Sequence, residues 1–479
     1  MTPLHRLGLL EMAEAIKAGK HSSQALTKAC LDQIDKLNPT YHSMVIVRHQ
    51  EAMADAKAAD EAVARGERLG LLHGVPLTVK ENFNLKGYKT TLNYPPLKDF
   101  VADHDAKIVQ RLKSHGAIIL GKTNVPTLVA DIQTQGPLFP NACNPYDVTR
   151  ITGGSTGGGA AAVASGMTPF EIGTDIGGSI RNPSHFCGVY GIKPSENTFP
   201  FGGKVPPFPN SKSTISMMSV MGPMTRSIED LEFSFKLLVG PDHKEVNVPP
   251  IQWLEPKNKP LNQLKIGWSD KLAWIQAGKS YRRVFAEFRK KLEDQGVELI
   301  EAEPQIDFEK AINTFTHLYG ALMGQDMSWT MQRLAKMKVA TSKEWTGMAR
   351  KIGNGIGLSL RQFSHLLYDR NVIIEQVQDF LHQFDGWLLP VGKGAAFPHC
   401  PKGSEIELDG EKVPYFDYVG MCFLANLVGN PVVMLPIGVE EQGLPLGIQI
   451  TGPYWSEMRL LELARQFTPF VELPRPPVF

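Results

Sequence analysis

ITGGSTGGGAAAVASGMTPFEIGTDIGGSIRNPSHFCGVYGIK, residues Ile151 to Lys193, carries two clusters of glycine with one serine in each, Ser155 and Ser179. Between them Gly157 to Ser165 holds mainly glycine and alanine, which predicts a short helix packed at close range, and Phe170 to Ile172 predicts a short strand. Glycine lacks a Cβ, so the backbone can adopt positive φ and bring its N–H groups against a ligand, as a site for a developing oxyanion requires. A single Gly-Gly-Ser is an ordinary turn. Two in one stretch, on either side of a helix and strand, point to chemistry.

The flanking sequence alternates helical and strand patterns. Upstream, Leu9, Met12 and Ile16, then Leu26, Cys30, Ile34 and Leu37, predict a helical hairpin broken at Gly19 and restarted by Ser22-Ser23. Val45 to Val47 reads as a strand and Gln50 to Arg65 as a helix stopped by Gly66. Val75 to Val79 is a strand that delivers Lys80 at its end; Asp105 to His115 is a helix and Ala117 to Leu120 a buried strand. Downstream, Ser227 and Asp230 resemble a capping box opening a helix from Ile228 to Val239. Prolines 249, 250, 256 and 260 mark a linker. Beyond it come a strand at Leu264 to Trp268, a helix at Tyr281 to Leu292, a strand at Val297 to Ile300 and a largely helical region to Phe384. In that region the basic stretch Met331 to Arg350 reads as a solvated helix face. Strands at Trp387 to Leu389, Val432 to Ile437 and Leu446 to Thr451, with a helix opened by Ser456, close the chain. Such alternation implies an α/β sheet with crossovers. The expected divisions are an N-terminal helical region (1–67), a core (68–240), a linker with a helical excursion (241–384) and C-terminal strands completing the core (385–479), all in one compact body.

Composition narrows the function. With 50 basic against 49 acidic residues among 479, the net charge of +1 offers no footprint for nucleic acid or anionic membrane. Cys30, Cys143, Cys187, Cys400 and Cys422 are odd in number, widely spaced and free of any CxxC, which argues against a disulfide framework or structural zinc. Glu11, Glu14 and Lys17 interrupt any secretory apolar run, and Asn426, Asn430, Pro431 and Pro436 interrupt the longest uncharged one, Cys422 to Val439. A cytoplasmic protein without metal or cofactor is expected.

Three motifs need weighing. Gly116 to Thr123, GAIILGKT, satisfies the P-loop pattern, but its middle residues are an apolar strand and Pro126 follows closely, so no phosphate-cradling loop leads into a helix. Gly153 to Gly157, GGSTG, matches the nucleophile elbow of an α/β-hydrolase esterase using Ser155. None of the later histidines (His185, His243, His317, His365, His382, His399) sits in a recognisable motif, and the elbow leaves the Ser179 cluster unexplained. His185 and Cys187, two residues apart in a short helix or turn, point in different directions and read as structural. Lys80, Ser155 and Ser179 make a more coherent set. A lysine held neutral by burial can take a proton from a serine, and a second serine can pass the proton on.

GGSTGGGAAAVASG followed by GTDIGGSIRNPSHFCGVYGIKP closely resembles the signature of the amidase signature family of serine hydrolases, and HGVPLTVKEN and GAIILGKTNVP resemble its two upstream blocks. The resemblance runs over roughly Gly74 to Gly240, with a weaker echo in GNPVVMLPIGVEEQGLPLGIQITGPYWSE. It implies a large mixed β-sheet core flanked by α-helices and hydrolysis of a carboxylic amide through an acyl-enzyme. By motif, Ser179 is implied as the nucleophile, Ser155 as a bridging serine on a cis peptide and Lys80 as the base. The N–H groups of Ile176, Gly177, Gly178 and Ser179 are implied as the oxyanion hole, and Thr156, Thr174, Asp175 and Arg181 as the residues around them, the ion pair holding the loop. Thr156 stands where a second serine is common, and Glu81 where an aspartate is more usual, a spelling associated with the fatty acid amide hydrolase branch.

Within the resemblance the leading expectation is a free-standing amidase; the alternative is the A subunit of a glutamine-dependent tRNA amidotransferase, which needs partner subunits. Against the alternative, residues 195–224 lack a compact glycine, arginine and serine pattern. The expected partners are a small amide substrate and at most a second copy of the chain, with no nucleic acid and no stable membrane insertion. Substrate choice is expected from Leu128 to Pro140, Ser195 to Pro223, the helical excursion and Tyr415 to Phe423.

Overall fold

The computed structural model describes residues 2–205, 208, 216–242, 244–253, 256, 258–474 and 476. Eleven strands form one sheet: β1 (Met44–Val47), β2 (Pro76–Lys80), β3 (Ile118–Thr123), β4 (Phe170–Asp175), β5 (Tyr190–Lys193), β6 (Val220–Thr225), β7 (Lys265–Trp268), β8 (Glu298–Glu301), β9 (Gly386–Pro390), β10 (Val432–Val439) and β11 (Pro445–Thr451). Their order across the sheet is β1-β3-β2-β4-β6-β5-β10-β11-β9-β7-β8. β2 runs parallel to β3 and β4, and β7 parallel to β8 and β9; the other neighbours are antiparallel. The sheet is therefore large and mixed, with helices around it. Strands from before, within and after the helical excursion hydrogen-bond side by side in it.

Every residue of β2, β3 and β4 is buried, as befits parallel strands covered on both faces. β3 and β4 each run three residues beyond the apolar stretch that predicts them. Those added residues include Lys122, Thr123, Thr174 and Asp175, whose polar side chains end the apolar pattern while their backbones stay in the ladder. The carboxyl ends of parallel strands are where α/β sheets place ligands, and here Lys80, Thr123 and Asp175 all arrive at that edge.

The small-residue segment forms the helix Gly157–Ala164, fully buried. A Cβ on Gly158 would lie 2.4 Å from Asn124 N and 2.6 Å from Ser43 O, so only glycine lets this helix approach so closely. The predicted hairpin appears as Leu9–Lys17 and Ser23–Tyr41, with Ser22 Oγ capping the second helix through Ala25 N at 3.1 Å. The predicted capping box is only half made. Ser227 Oγ accepts from Asp230 N, but the Asp230 carboxylate accepts from Leu9 N and Leu10 N, each at 2.9 Å, and so caps the helix Leu9–Lys17 instead.

The basic stretch splits into two environments. The helix Trp329–Thr341 is solvated, yet its exposed side chains include Trp329, Met331, Leu334 and Met337 beside the charges, whereas Trp345, Met348 and Ala349 turn inward and are buried. Among the described residues no helix is long and apolar enough to cross a membrane.

Replacing Gly158 by valine is expected to destabilise the fold by about 3 kcal/mol or more, because the clash is with backbone that has nowhere to move. Urea unfolding of the purified variant checks this; an unchanged midpoint contradicts the close packing.

Candidate active site

Lys80, at the end of β2, is fully buried. Its Nζ lies 2.8 Å from Ser155 Oγ, 2.9 Å from Thr156 Oγ1 and 2.8 Å from Thr174 Oγ1. Three elements supply this cage: β2 the amine, β4 Thr174, and the turn entering the glycine helix Ser155 and Thr156. The Gly154–Ser155 peptide is cis. Burial pushes Lys80 well below the usual lysine range, against the pull of the Asp175 and Glu171 carboxylates, and the Lys204 ammonium pushes the same way as burial. A neutral amine has two N–H donors and one lone pair. It can donate to both threonine hydroxyls and accept the proton of Ser155.

Asp175 and Arg181 form a fully buried ion pair at 3.0 Å. Asp175 Oδ1 also accepts from Gly178 N at 2.9 Å, and Oδ2 from Ile180 N at 3.0 Å, so one carboxylate ties down the loop from strand to helix. Burial alone would raise the Asp175 carboxyl, but Arg181 and these N–H donors overcome it and hold it well below the usual carboxylate range. Gly178 has a φ of +108°, and a Cβ there would stand 2.8 Å from Cys422 Cβ. Of the four N–H groups expected to form the oxyanion hole, that of Gly178 donates to Asp175 Oδ1.

Ser155 is buried while Ser179 is partly exposed, and the Ser179 backbone carbonyl accepts from Thr156 N at 3.2 Å. Ser179 lies where two cavities meet. The first is walled by Phe315, Trp345, Met348, Ile352, Phe416 and Phe423, with Gly177 and Asn182 near the serine. The second, the larger, is reached by Ser155, Thr174 and Asn82, and carries Lys204, Met217 and Ser219 on its wall. Tyr319 and Ile176 border both. All four segments expected to line the pocket contribute, although residues 206, 207 and 209–215 of one of them lie outside the described residues.

The remaining sequence candidates fall elsewhere. The GAIILGKT lysine, Lys122, sits in β3 and donates to Lys89 O at 2.6 Å and Thr90 Oγ1 at 2.8 Å. Glu81 accepts from Thr91 N, Thr91 Oγ1 and Leu92 N, so it anchors a loop. His185 is buried against Tyr281; its Nδ1 accepts from Gly447 N and its Nε2 lies 3.0 Å from Gly394 O, and burial lowers it to about 4. Cys187 is buried.

Two residues escaped sequence reasoning. Asn426 donates to Asp175 Oδ1 and to Met218 O, each at 3.0 Å, and its own oxygen accepts from Arg181; Gln449 Oε1 accepts from Arg181 Nη1 at 2.7 Å. Gln449 is an amide inside the apolar strand β11, the one signal that could have revealed it.

The amidase family model matches residues 25–461. The A subunit of glutamyl-tRNA(Gln) amidotransferase from Acinetobacter baylyi is 31% identical over 491 residues, covering 98% of this chain and 96% of that protein. Among solved structures, an amidase has a TM-score of 0.80 at 25% identity, covering 97% of this chain and all of that one. Fatty acid amide hydrolase has a TM-score of 0.82 at 21% identity, covering 98% and 86%, a likeness of fold. Fold and family together define a hydrolase of carbon–nitrogen amide bonds. The chain belongs to the amidase family.

Arg181→Met leaves the Asp175 carboxylate buried without its partner and is expected to cost about 3–5 kcal/mol. Because the Asp175 carboxyl is held below its unfolded value, the pair's stabilisation is present above roughly pH 4 and lost as pH falls toward the depressed value. Asp175→Asn combined with Arg181→Met should lose clearly less than the two single changes added together. Strict additivity in urea unfolding at pH 7 contradicts the pairing.

Proposed function

We propose that the chain cleaves a carboxylic amide to a carboxylate and an amine or ammonia, with Ser179 as nucleophile, Ser155 as proton relay and Lys80 as base. The observation that carries this reading is the amine of Lys80 held in a buried cage of three hydroxyls. In the reaction, Lys80 takes the proton of Ser155 as Ser155 takes that of Ser179, whose Oγ attacks the carbonyl carbon. Ser155 and Ser179 are not hydrogen-bonded to each other in this structure, and such contacts commonly tighten only when substrate is bound. The developing oxyanion is placed against the Ile176, Gly177 and Ser179 N–H groups; losing one donor of this kind costs about 100- to 1000-fold in rate. The proton returns through Ser155 to the departing nitrogen, and water then releases the acyl group by the same route.

A second reading concerns which amide is cleaved. The similarity to the A subunits of tRNA amidotransferases over nearly the whole chain favours glutamine as the amide, with the released ammonia used in an assembly that involves tRNA. The apolar walls around Ser179 and the net charge of +1 favour a stand-alone enzyme acting on a small amide without nucleic acid. Glutaminase activity that appears only when partner subunits and tRNA are supplied decides for the former; turnover of small acyl amides by the purified chain decides for the latter.

Ser179→Ala is expected to abolish labelling by a fluorophosphonate probe and to reduce turnover at least about 1000-fold. Labelling that persists at another serine assigns the nucleophile elsewhere. Only neutral Lys80 can accept a proton, so kcat/KM should rise with pH through its lowered value and level off above it. Lys80→Ala should remove that acid limb along with most of the rate, and an unchanged limb contradicts its role as base.

A further inference from the structure

Lys204 is the feature that the reaction above leaves unused. It follows Gly203 in a segment bridged to the chain just past β2: Phe83 pairs with Lys204, Asn84 N donates to Gly203 O at 2.9 Å, and Val205 N donates to Asn82 O at 2.8 Å. Its backbone is thus fixed to the residues that follow the strand carrying Lys80. The side chain lines the larger cavity together with Ser155, Thr174 and Ser179. Among the described residues its one hydrogen-bond acceptor is Ser219 Oγ, at 3.1 Å, and no carboxylate pairs with it. Among the described residues two other charged groups face this cavity: Asp175, locked by Arg181, and Asp326, itself engaged. Burial lowers Lys204 to about 8, so it remains largely protonated at neutral pH.

The two cavities differ in a way that orients an amide. Ser155, which returns the proton to the departing nitrogen, lines the cavity of Lys204 and not the aromatic one. The amine half must therefore leave on the Lys204 side, and the acyl half lies among Phe315, Trp345, Phe416 and Phe423. We infer that the substrate is an amide joining an apolar acyl group to an amine that carries a carboxylate, and that Lys204 binds this carboxylate. The inference rests on the stand-alone form of the reading above. In the reaction the amide C–N bond breaks as the Ser179 ester forms, the nitrogen departs with the proton from Ser155, and water yields an apolar carboxylic acid and an amino acid.

The test compares N-(3-phenylpropanoyl)glycine with N-(3-phenylpropanoyl)ethylamine, which share the acyl group and differ in the carboxylate. A charge-assisted hydrogen bond of ordinary strength predicts about 10- to 100-fold higher kcat/KM for the glycine conjugate. In Lys204→Gln that ratio should collapse towards one, and in Lys204→Arg most of it should remain. A ratio near one in the wild-type enzyme overturns the inference. So does a ratio that survives Lys204→Gln while the acid limb of both substrates shifts together, since Lys204 would then act through Lys80. Failure to cleave either conjugate with Ser179 still labelled by fluorophosphonate also counts against it, whereas failure with Ser179 unlabelled overturns the hydrolase assignment beneath it.

Discussion

Taking an ammonium completely out of water, with no carboxylate in contact, is costly and weakens its hold on the proton. Lys80 is in that position: fully buried, ringed by the hydroxyls of Ser155, Thr156 and Thr174, with no ion-pair partner among the described residues. The rest of the site depends on this constraint. The cage closes only because the glycine helix packs against the loop after β3 closely enough to bring Thr156 over the end of β2. The nearby Glu171 does little to restore the charge, since burial raises it to about 7 and its oxygens are bonded to Thr78 and Thr123.

Around this amine the protein separates its roles by burial. Lys80 and Ser155, the proposed proton carriers, lie inside, while Ser179, the proposed nucleophile, stands at the junction of the two cavities. The Asp175–Arg181 pair keeps its charges fully satisfied by backbone N–H groups, Asn426 and Gln449, so it shapes the loop without offering Lys80 a direct partner. A single carboxylate thus fixes the loop that presents Ile176 and Gly177.

Much of this was legible in the residues. The apolar runs located the strands, and of the candidates that the resemblance singled out, Lys80 and Ser155 lie 2.8 Å apart in the fold. What escaped was polar and non-local. β3 and β4 extend past their apolar stretches into residues that carry chemistry, so periodicity stops short of Thr123 and Asp175. Asn426 looked like an interruption of an apolar run and proves to be a ligand of the buried ion pair. The contact of the Gly178 N–H with a side chain three residues earlier was likewise not legible. Thr156 differs from the commoner serine, yet its hydroxyl is one wall of the cage. The exposed Met331, Leu334 and Met337 sit in a stretch whose charges suggested plain solvation.

The central claim is that Lys80 is a neutral amine in the folded protein. Lysine labelled with ¹³C at Cε, followed by NMR across pH, reports it directly, the Lys80 signal being identified by its loss in Lys80→Met. A neutral Lys80 gives a Cε resonance that titrates well below the ordinary lysine value of about 10.4. Titration alongside the surface lysines would contradict it, because a protonated Lys80 could not take the proton of Ser155.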